Sequence, residues 1–271
     1  MKIKKIRPTL FFFLAALASA MVSCASSQDR SDAGHAGSDS FFFTKYSQLI
    51  PAFDNWSLPD DKMDISLNLL DARDAKLSKF IHFLLYDGLS PKQYAEQIIS
   101  DYKKEFREYV DEIGEERFQA WSYEEEHSVD VCGSYAVVSR NFYVFSGGVH
   151  GGYGTSYYVI DMNTPELLKL DDIITRANVA KLKPLVDREL RLYSEEVSGN
   201  PLPPNLPLYE GIYLEADFEL DEYFPSREGL NFWWNVYQLT PYAAGPVLVT
   251  VKWNELDGLS PKGIKLANAF K

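Results

Sequence analysis

Apolar residues recur at helical spacing in three segments of this chain. The best-defined segment begins at Ser90-Pro91-Lys92-Gln93, which offers a capping serine, a proline at the first helical position and a glutamine three residues after the cap. The apolar stripe that follows consists of Tyr94, Ile98, Tyr102, Phe106, Tyr109 and Ile113, and Gly114 ends it. The same periodicity predicts an earlier, weaker helix over 74–86 and a third helix over about 178–193. The inner face of the third helix is predicted to hold Val179, Leu182, Val186, Leu190 and Tyr193.

Alternating apolar and polar residues predict strands elsewhere. Segments 118–131 and 134–145 flank Cys132-Gly133 and favour a hairpin, and a further strand covers 154–161. Three more strands are predicted over 213–221, 229–237 and 246–253. The predicted fold class is α+β: a mostly antiparallel sheet with two or three packed helices, in one domain or two subdomains.

The hexapeptide Asp-Gly-Leu-Ser-Pro-Lys occurs twice, at 87–92 and 257–262. The sequences around the two copies are not similar, whereas an internal repeat would extend over a longer period. We therefore interpret the hexapeptide as a turn and helix cap used twice.

The first 23 residues predict a signal peptide. Lys2, Lys4, Lys5 and Arg7 precede an apolar run from 10 to 22, and Ser23 and Cys24 follow it. The tetrad Met21-Val22-Ser23-Cys24 resembles a bacterial lipobox, in which the cysteine receives a lipid such as palmitate. An ordinary signal peptide and a membrane anchor are the alternatives, but a spanning helix needs about 20 apolar residues. The sequence thus predicts a lipoprotein, lipid-anchored at Cys24 to a membrane of the bacterial cell envelope (outer membrane or periplasm in a Gram-negative host).

Three segments are predicted after the signal. Residues 24–40 are mostly Ser, Asp, Gly and Ala, which is typical of a flexible tether. Residues 41–133 are predicted to form an N-terminal α+β subdomain, and residues 134–271 a C-terminal domain.

The net charge of −12 becomes about −16 once the four basic residues of the signal are removed. Such an acidic chain is not expected to bind nucleic acid, but it can attract a basic protein. Two cysteines and four scattered histidines predict no metal site, and no cofactor is expected. A lipid on Cys24 would leave no partner for an intramolecular disulfide, so Cys132 is predicted to be a small buried residue.

Four carboxylates fall on one face of the predicted strand 214–221. Leu214, Ala216, Phe218 and Leu220 alternate with Glu215, Asp217, Glu219 and Asp221. Acidic residues about 7 Å apart repel one another unless water or a partner neutralises them. The face is predicted either to be solvated or to meet a basic protein, with calcium as a less favoured ligand. Residues 124–126, Glu-Glu-Glu, would extend such a surface.

Two further segments are candidates for binding. Residues 146–154 contain five glycines around His150, which indicates a tightly folded strand connection. The trio His150-Gly151-Gly152 is faintly similar to a hydrolase oxyanion loop, but the chain has no Gly-x-Ser-x-Gly nucleophile motif, and His150 is expected to bond to the backbone. In the predicted strand 229–237, an outward face with Trp233, Asn235 and Tyr237 would either stack on sugars or pack under a helix.

Two groups of segments, taken together, resemble a known family. The first runs Phe142-Tyr143-Val144-Phe145-Ser146-Gly147-Gly148-Val149-His150-Gly151, then Tyr157–Asp161 and Leu168–Ile173; the second is Gly229–Phe232, Tyr237 and Pro241–Pro246. In this order they are similar to the extracytoplasmic domain of the RsiV-like family, over roughly 134–259. That family includes lysozyme-sensing anti-sigma factors, a module of peptidoglycan deacetylases and many bacterial lipoproteins.

The resemblance implies an α+β domain that binds rather than catalyses, with lysozyme as the ligand in the best-known members. Few residues precede the apolar run and no deacetylase segment is recognised, so neither sigma-factor control nor deacetylation is expected. The predicted function is a non-enzymatic envelope lipoprotein that binds lysozyme, another basic protein or peptidoglycan. A glycan-binding module is the alternative, and an envelope hydrolase is less favoured.

Overall fold

The structure is a computed structural model, and it describes residues 38–52, 62–114, 119–199 and 220–271. The predicted signal peptide, Cys24 and most of the tether lie outside the described residues. The helices are α1 (Ala75–Tyr86), α2 (Pro91–Ile113), α3 (Leu170–Ile173), α4 (Arg176–Ser198) and α5 (Pro261–Phe270). The strands are β1 (Phe41–Pro51), β2 (Lys62–Ala72), β3 (Trp121–Cys132), β4 (Tyr135–Phe145), β5 (Gly152–Asp161), β6 (Glu166–Leu167), β7 (Tyr223–Pro225), β8 (Gly229–Trp234) and β9 (Val247–Lys252).

The strands form two sheets. The larger has the order β1-β2-β3-β4-β5-β6, in which β1 and β2 are antiparallel and β2 and β3 are parallel. The parallel pair is possible because α1 and α2 provide the long crossover between β2 and β3. The smaller sheet, β7-β8-β9, is antiparallel throughout. The predicted fold class, α+β with a largely antiparallel sheet, is confirmed.

The described chain divides into two compact units. The first unit comprises Phe41–His127 and Asn141–Gly154, and the second comprises Ser128–Arg140 and Thr155–Lys271. Strands β3, β4 and β5 therefore contribute residues to both units. The predicted domain boundary between residues 133 and 134 stays a prediction.

In the first unit, α1 and α2 pack against β2. The strand presents every second residue to the helices, and the side chains on that face are at most 1% exposed: Met63, Ile65, Leu67 and Leu69. Phe106 of α2 is fully buried as well. Burying an aliphatic or aromatic side chain of this size contributes about 1.5–3 kcal/mol each, so this face supplies most of the unit's cohesion.

The predicted helix cap at Ser90 is confirmed. The Gln93 amide N–H donates to Ser90 Oγ at 3.3 Å, and the Ser90 amide N–H donates to Gln93 Oε1 at 3.0 Å. The second copy of the hexapeptide ends in the same way, because the Gly263 amide donates to Ser260 Oγ at 3.0 Å where α5 begins. The interpretation of the hexapeptide as a reused turn and cap is therefore confirmed.

The second unit has its own apolar core between α4, α5 and the smaller sheet. Helix α4 contacts β9, and the predicted inner residues Leu182, Val186 and Leu190 are at most 2% exposed. Cys132 is 3% exposed in this core, as predicted, and it is not a free thiol. The predicted third helix is thus confirmed, and it is longer than the sequence indicated.

Two predicted strands differ from the structure. Leu220 and Asp221 are not in a strand, and the rest of 213–221 lies outside the described residues. Strand β8 ends at Trp234 rather than Tyr237, because a turn follows in which the Tyr237 amide donates to the Thr240 carbonyl at 2.8 Å. Tyr237 has a left-handed backbone there, with φ of +67°, which a strand does not permit.

Candidate functional site

The second unit contains a cleft of about 590 Å³. This volume falls within the usual range of small-molecule sites, roughly 300–1,000 Å³. The cleft is formed between β5, the segment from β6 to α3, helix α4, and the residues that lead into β7.

The floor of the cleft is apolar and aromatic, and its members are Tyr157, Val159, Leu168, Leu170, Leu220 and Tyr223. The Tyr223 hydroxyl donates to the Leu168 carbonyl, so this phenol is already engaged within the protein. The Tyr157 ring stacks on Phe224 at a centroid distance of 4.1 Å and meets Trp233 edge-on at 5.8 Å. These contacts fix the Tyr157 ring.

The rim of the cleft carries four exposed charged residues, two of each sign. Lys169 and Asp171 come from the segment that opens α3, Lys183 comes from α4, and Asp221 precedes β7. Oppositely charged groups at the mouth of an apolar cleft orient a ligand more than they strengthen its binding. The cleft can therefore hold an apolar body and align its charged ends.

Side chains, rather than another strand, cover the open edge of β5 in this unit. The Thr155 amide donates to Asn235 Oδ1 at 2.8 Å, and Asn235 Nδ2 donates back to the Thr155 carbonyl at 3.0 Å. The Tyr157 amide donates to Glu222 Oε2 at 2.9 Å. Burial raises the pKa of the Glu222 carboxyl, and the hydrogen bond from Tyr157 partly opposes that effect. Covering an edge in this way prevents further strand pairing.

In the first unit, a buried polar cluster surrounds a glutamate and a histidine on β3. His127 Nε2 donates to Glu125 Oε1 at 2.8 Å, and both side chains have no solvent exposure. Two phenols, Tyr94 and Tyr123, donate to Glu125 Oε2 at 2.8 and 2.7 Å. Burial and the Glu125 charge raise the pKa of Tyr123, so its hydroxyl remains a donor.

The other imidazole nitrogen assigns the tautomer of His127. The Leu70 amide donates to His127 Nδ1 at 3.3 Å, so Nδ1 is an acceptor and the proton resides on Nε2. The Tyr86 ring stacks on the imidazole at 5.7 Å, and its hydroxyl donates to the Leu70 carbonyl at 2.6 Å. A Glu–His pair resembles half of a catalytic triad, but general acid–base catalysis requires contact with a substrate, and this pair is enclosed.

The glycine-rich segment forms a tight connection between β4 and β5, as expected. Gly148 has a φ of +110°, and its amide donates to Gln119 Oε1 at 2.7 Å. A Cβ on Gly151 would lie 2.5 Å from the Tyr143 ring, so only glycine fits there. His150 Nδ1 lies 2.9 Å from the Gly151 carbonyl, which confirms the expected bond to the backbone.

Two solved structures with a similar fold are both proteins of the DUF3298 family. One, from Bacteroides fragilis, has a TM-score of 0.70 and 21% sequence identity, and the match covers 85% of this chain and 96% of that one. The other, from Pseudomonas aeruginosa, has a TM-score of 0.59 and 12% identity, and covers 82% of this chain and 94% of that one. At these identities the similarity shows the fold alone. No family model and no curated protein matches this chain.

The chain therefore has the fold of DUF3298 proteins. The finer resemblance, to the RsiV-like family, stays a prediction. Both solved structures are covered almost completely by the match, so the arrangement seen here is close to a whole structure of that type.

The structure separates the two aromatic residues that the sequence placed on one outward face. Trp233 is half-buried against Tyr157, and its Nε1 donates to Asn235 Oδ1 at 3.1 Å. Tyr237 is 66% exposed, and its ring lies 5.9 Å from that of Tyr242. Of the pair, Tyr237 alone offers an open ring face.

The predicted acidic strip is only partly described. Glu215, Asp217 and Glu219 lie outside the described residues, whereas Asp221 is exposed on the rim of the cleft. The proposed extension through residues 124–126 is wrong for Glu125, which is 1% exposed because β3 turns it toward the helices. Glu124 and Glu126 point away from them and are exposed.

Sequence reasoning missed the Glu125–His127 cluster and the role of Asn235. A signal for the first was present, since Tyr123, Glu125 and His127 alternate and so share one face of β3. No cluster of three or more metal-ligating side chains occurs in the part of the chain that the structure describes. Within these same residues, no helix is both long and apolar enough to cross a membrane.

Proposed function

We propose that this protein is a non-enzymatic lipoprotein of the bacterial cell envelope whose acidic surface binds a basic protein such as lysozyme. The observation that carries the proposal is the charge: 39 acidic residues stand against 27 basic ones. A surface with this excess attracts a cationic protein from a distance and accelerates the encounter.

A binding role agrees with the state of the residues that are most suited to acid–base chemistry. Glu125 and His127 are enclosed and fully hydrogen-bonded, and His150 bonds to its neighbour's carbonyl. The described lining of the cleft contributes tyrosines, lysines and aspartates but no histidine, cysteine or serine. This lining favours holding a ligand over transforming it.

The envelope location is supported by the basic, apolar and Ser23-Cys24 order of the N-terminus. A lipid on Cys24 would hold the acidic surface close to a bilayer, where a cationic wall-degrading protein acts. Two lipid chains are needed for stable anchoring, which the lipobox pathway supplies.

The contact is expected to involve the acidic segment that ends at Asp221. A variant with Glu215, Asp217 and Glu219 all changed to lysine should lose lysozyme binding in titration calorimetry at low ionic strength. The matched control reverses three exposed acids of α2, Glu105, Glu108 and Glu112, and changes the net charge equally. This control should retain most of the affinity, because screening limits charge effects to about 10 Å at 0.1 M salt.

Two results would overturn this proposal. The first is the absence of lysozyme binding by the unaltered protein at low ionic strength. The second is an equal loss in both triple variants, which would mean that net charge alone, and no defined surface, governs the association.

A glycan-binding role is the second candidate, and the exposed ring of Tyr237 beside Tyr242 favours it. Aromatic faces of this kind stack on sugar rings. Soluble peptidoglycan fragments should then bind the unaltered protein and fail to bind a Tyr237→Ala variant. Equal binding by both proteins would exclude Tyr237 from the site.

A further inference from the structure

We propose that the cleft of the second unit binds a short apolar peptide whose two charged termini are both free. This site is independent of the acidic surface that is proposed to bind a basic protein. The inference combines three features of the cleft: its apolar floor, one phenol within that floor, and the pairing of charges on its rim.

The floor defines the body of the ligand. Val159, Leu168, Leu220 and Tyr223 are each at most 8% exposed, so they form a rigid and dry surface. Apolar side chains of a ligand gain free energy there by leaving water. A wholly polar peptide of the same length gains nothing from this floor.

The Tyr157 hydroxyl defines a hydrogen-bond acceptor within that body. The ring is fixed between Phe224 and Trp233, and no described residue accepts a hydrogen bond from its hydroxyl. Burial and the Glu222 carboxylate raise the pKa of Tyr157 to about 12, so the phenol is a donor at neutral pH. A peptide carbonyl lies among apolar side chains and can accept this bond, whereas an acyl chain carries no such oxygen.

The rim defines the ends of the ligand. Lys169 and Lys183 suit a carboxylate, and Asp171 and Asp221 suit an ammonium group. A ligand with a single charge would meet like charges on the same rim. A peptide with both termini free presents one group of each sign.

The test is titration calorimetry of the purified protein with small probes. Trileucine should bind, and triglycine, which has the same backbone and termini, should not bind detectably. Acetylated and amidated trileucine, which has no charged termini, should bind about tenfold more weakly, the weight of one charged contact. Octylphosphocholine, a zwitterion without a carbonyl in its tail, should bind more weakly than trileucine.

Two substitutions locate the site. Tyr157→Phe keeps the ring contacts and removes only the hydroxyl, so it should weaken trileucine binding about tenfold, as for one hydrogen bond. Tyr237→Phe removes a hydroxyl outside the cleft and should change nothing. Unchanged thermal unfolding of Tyr157→Phe establishes that the loss is local.

The inference is overturned if trileucine fails to bind, if triglycine binds as well as trileucine, or if Tyr157→Phe binds trileucine as tightly as the unaltered protein. Tighter binding of octylphosphocholine than of trileucine would overturn it as well, and would assign the cleft to a lipid headgroup. None of these results bears on lysozyme binding, so the two proposals fail separately.

Discussion

Replacing Glu125 with glutamine should destabilise the first unit by about 2–4 kcal/mol. The carboxylate accepts three hydrogen bonds, from His127 Nε2 and from the hydroxyls of Tyr94 and Tyr123. The glutamine side chain keeps the shape of glutamate but turns one acceptor oxygen into a donor. That donor must then face either the imidazole N–H or the two phenol hydroxyls.

The magnitude follows from the weights of these bonds. A hydrogen bond to a charged group contributes about 1.5–3 kcal/mol and a neutral one about 0.5–1.5, so three bonds lose about 3 kcal/mol together. A buried donor left without an acceptor costs about 1–3 kcal/mol more. A neutral amide is less costly to bury than a carboxylate, and this gain offsets part of the loss.

The assay is urea unfolding followed by amide hydrogen exchange in β2, β3 and α1, which reports on the first unit alone. The matched control is Glu124→Gln on the exposed face of the same strand, where a change within about 0.5 kcal/mol is expected. Equal stability of the two variants would refute the reasoning, because it would mean that the buried carboxylate is not needed by its three donors.

Three other substitutions test separate features of the molecule. Cys24→Ser should abolish incorporation of labelled palmitate and release the protein from membranes; retained label, or a disulfide through Cys24 in the unaltered protein, would contradict lipidation. Glu222→Gln should flatten the pH dependence of thermal unfolding: burial raises this carboxyl pKa, so the folded state binds the proton more tightly, and the stabilising effect present at low pH is lost as pH rises through that pKa. A pH profile identical to that of the unaltered protein would contradict this assignment. Gly263→Ala would place a Cβ 2.1 Å from the Ile173 carbonyl oxygen and should cost more than about 2 kcal/mol in urea unfolding. Ile264→Ala, at a half-exposed neighbouring position, should cost less, and the reverse order would exclude close packing at Gly263.

The elements that the sequence predicted well are those with local signals. The serine cap, the proline and the apolar stripe of α2 lie within one segment, and the observed helix has the predicted bounds. Helix α5 begins with the same cap at Ser260, yet its short apolar pattern did not predict a helix. The turn that ends β8 depends on a bond between Tyr237 and Thr240, and alternation alone gave no sign of it.

The candidate site could not be predicted, because it depends on distant parts of the chain. Glu125 reads as a surface acid within a run of three glutamates until Tyr94, from a preceding helix, reaches its side chain. The cleft likewise combines Tyr157 with Lys183 and Asp221, which are far apart in sequence. Such tertiary arrangements leave no periodic pattern in the sequence.

The polar residues that looked most functional in the sequence are engaged inside the fold, and this narrows where binding can occur. Asn235 was a candidate for sugar contact, but its amide covers the edge of β5 at Thr155, as a neighbouring strand would. Glu125 and His127 satisfy each other and their tyrosine neighbours. A ligand that displaced these groups would have to replace their hydrogen bonds, at a cost of about 1–3 kcal/mol for each group left unpaired. The favourable positions are therefore groups that the fold leaves accessible, such as the Tyr157 hydroxyl and the charged rim of the cleft.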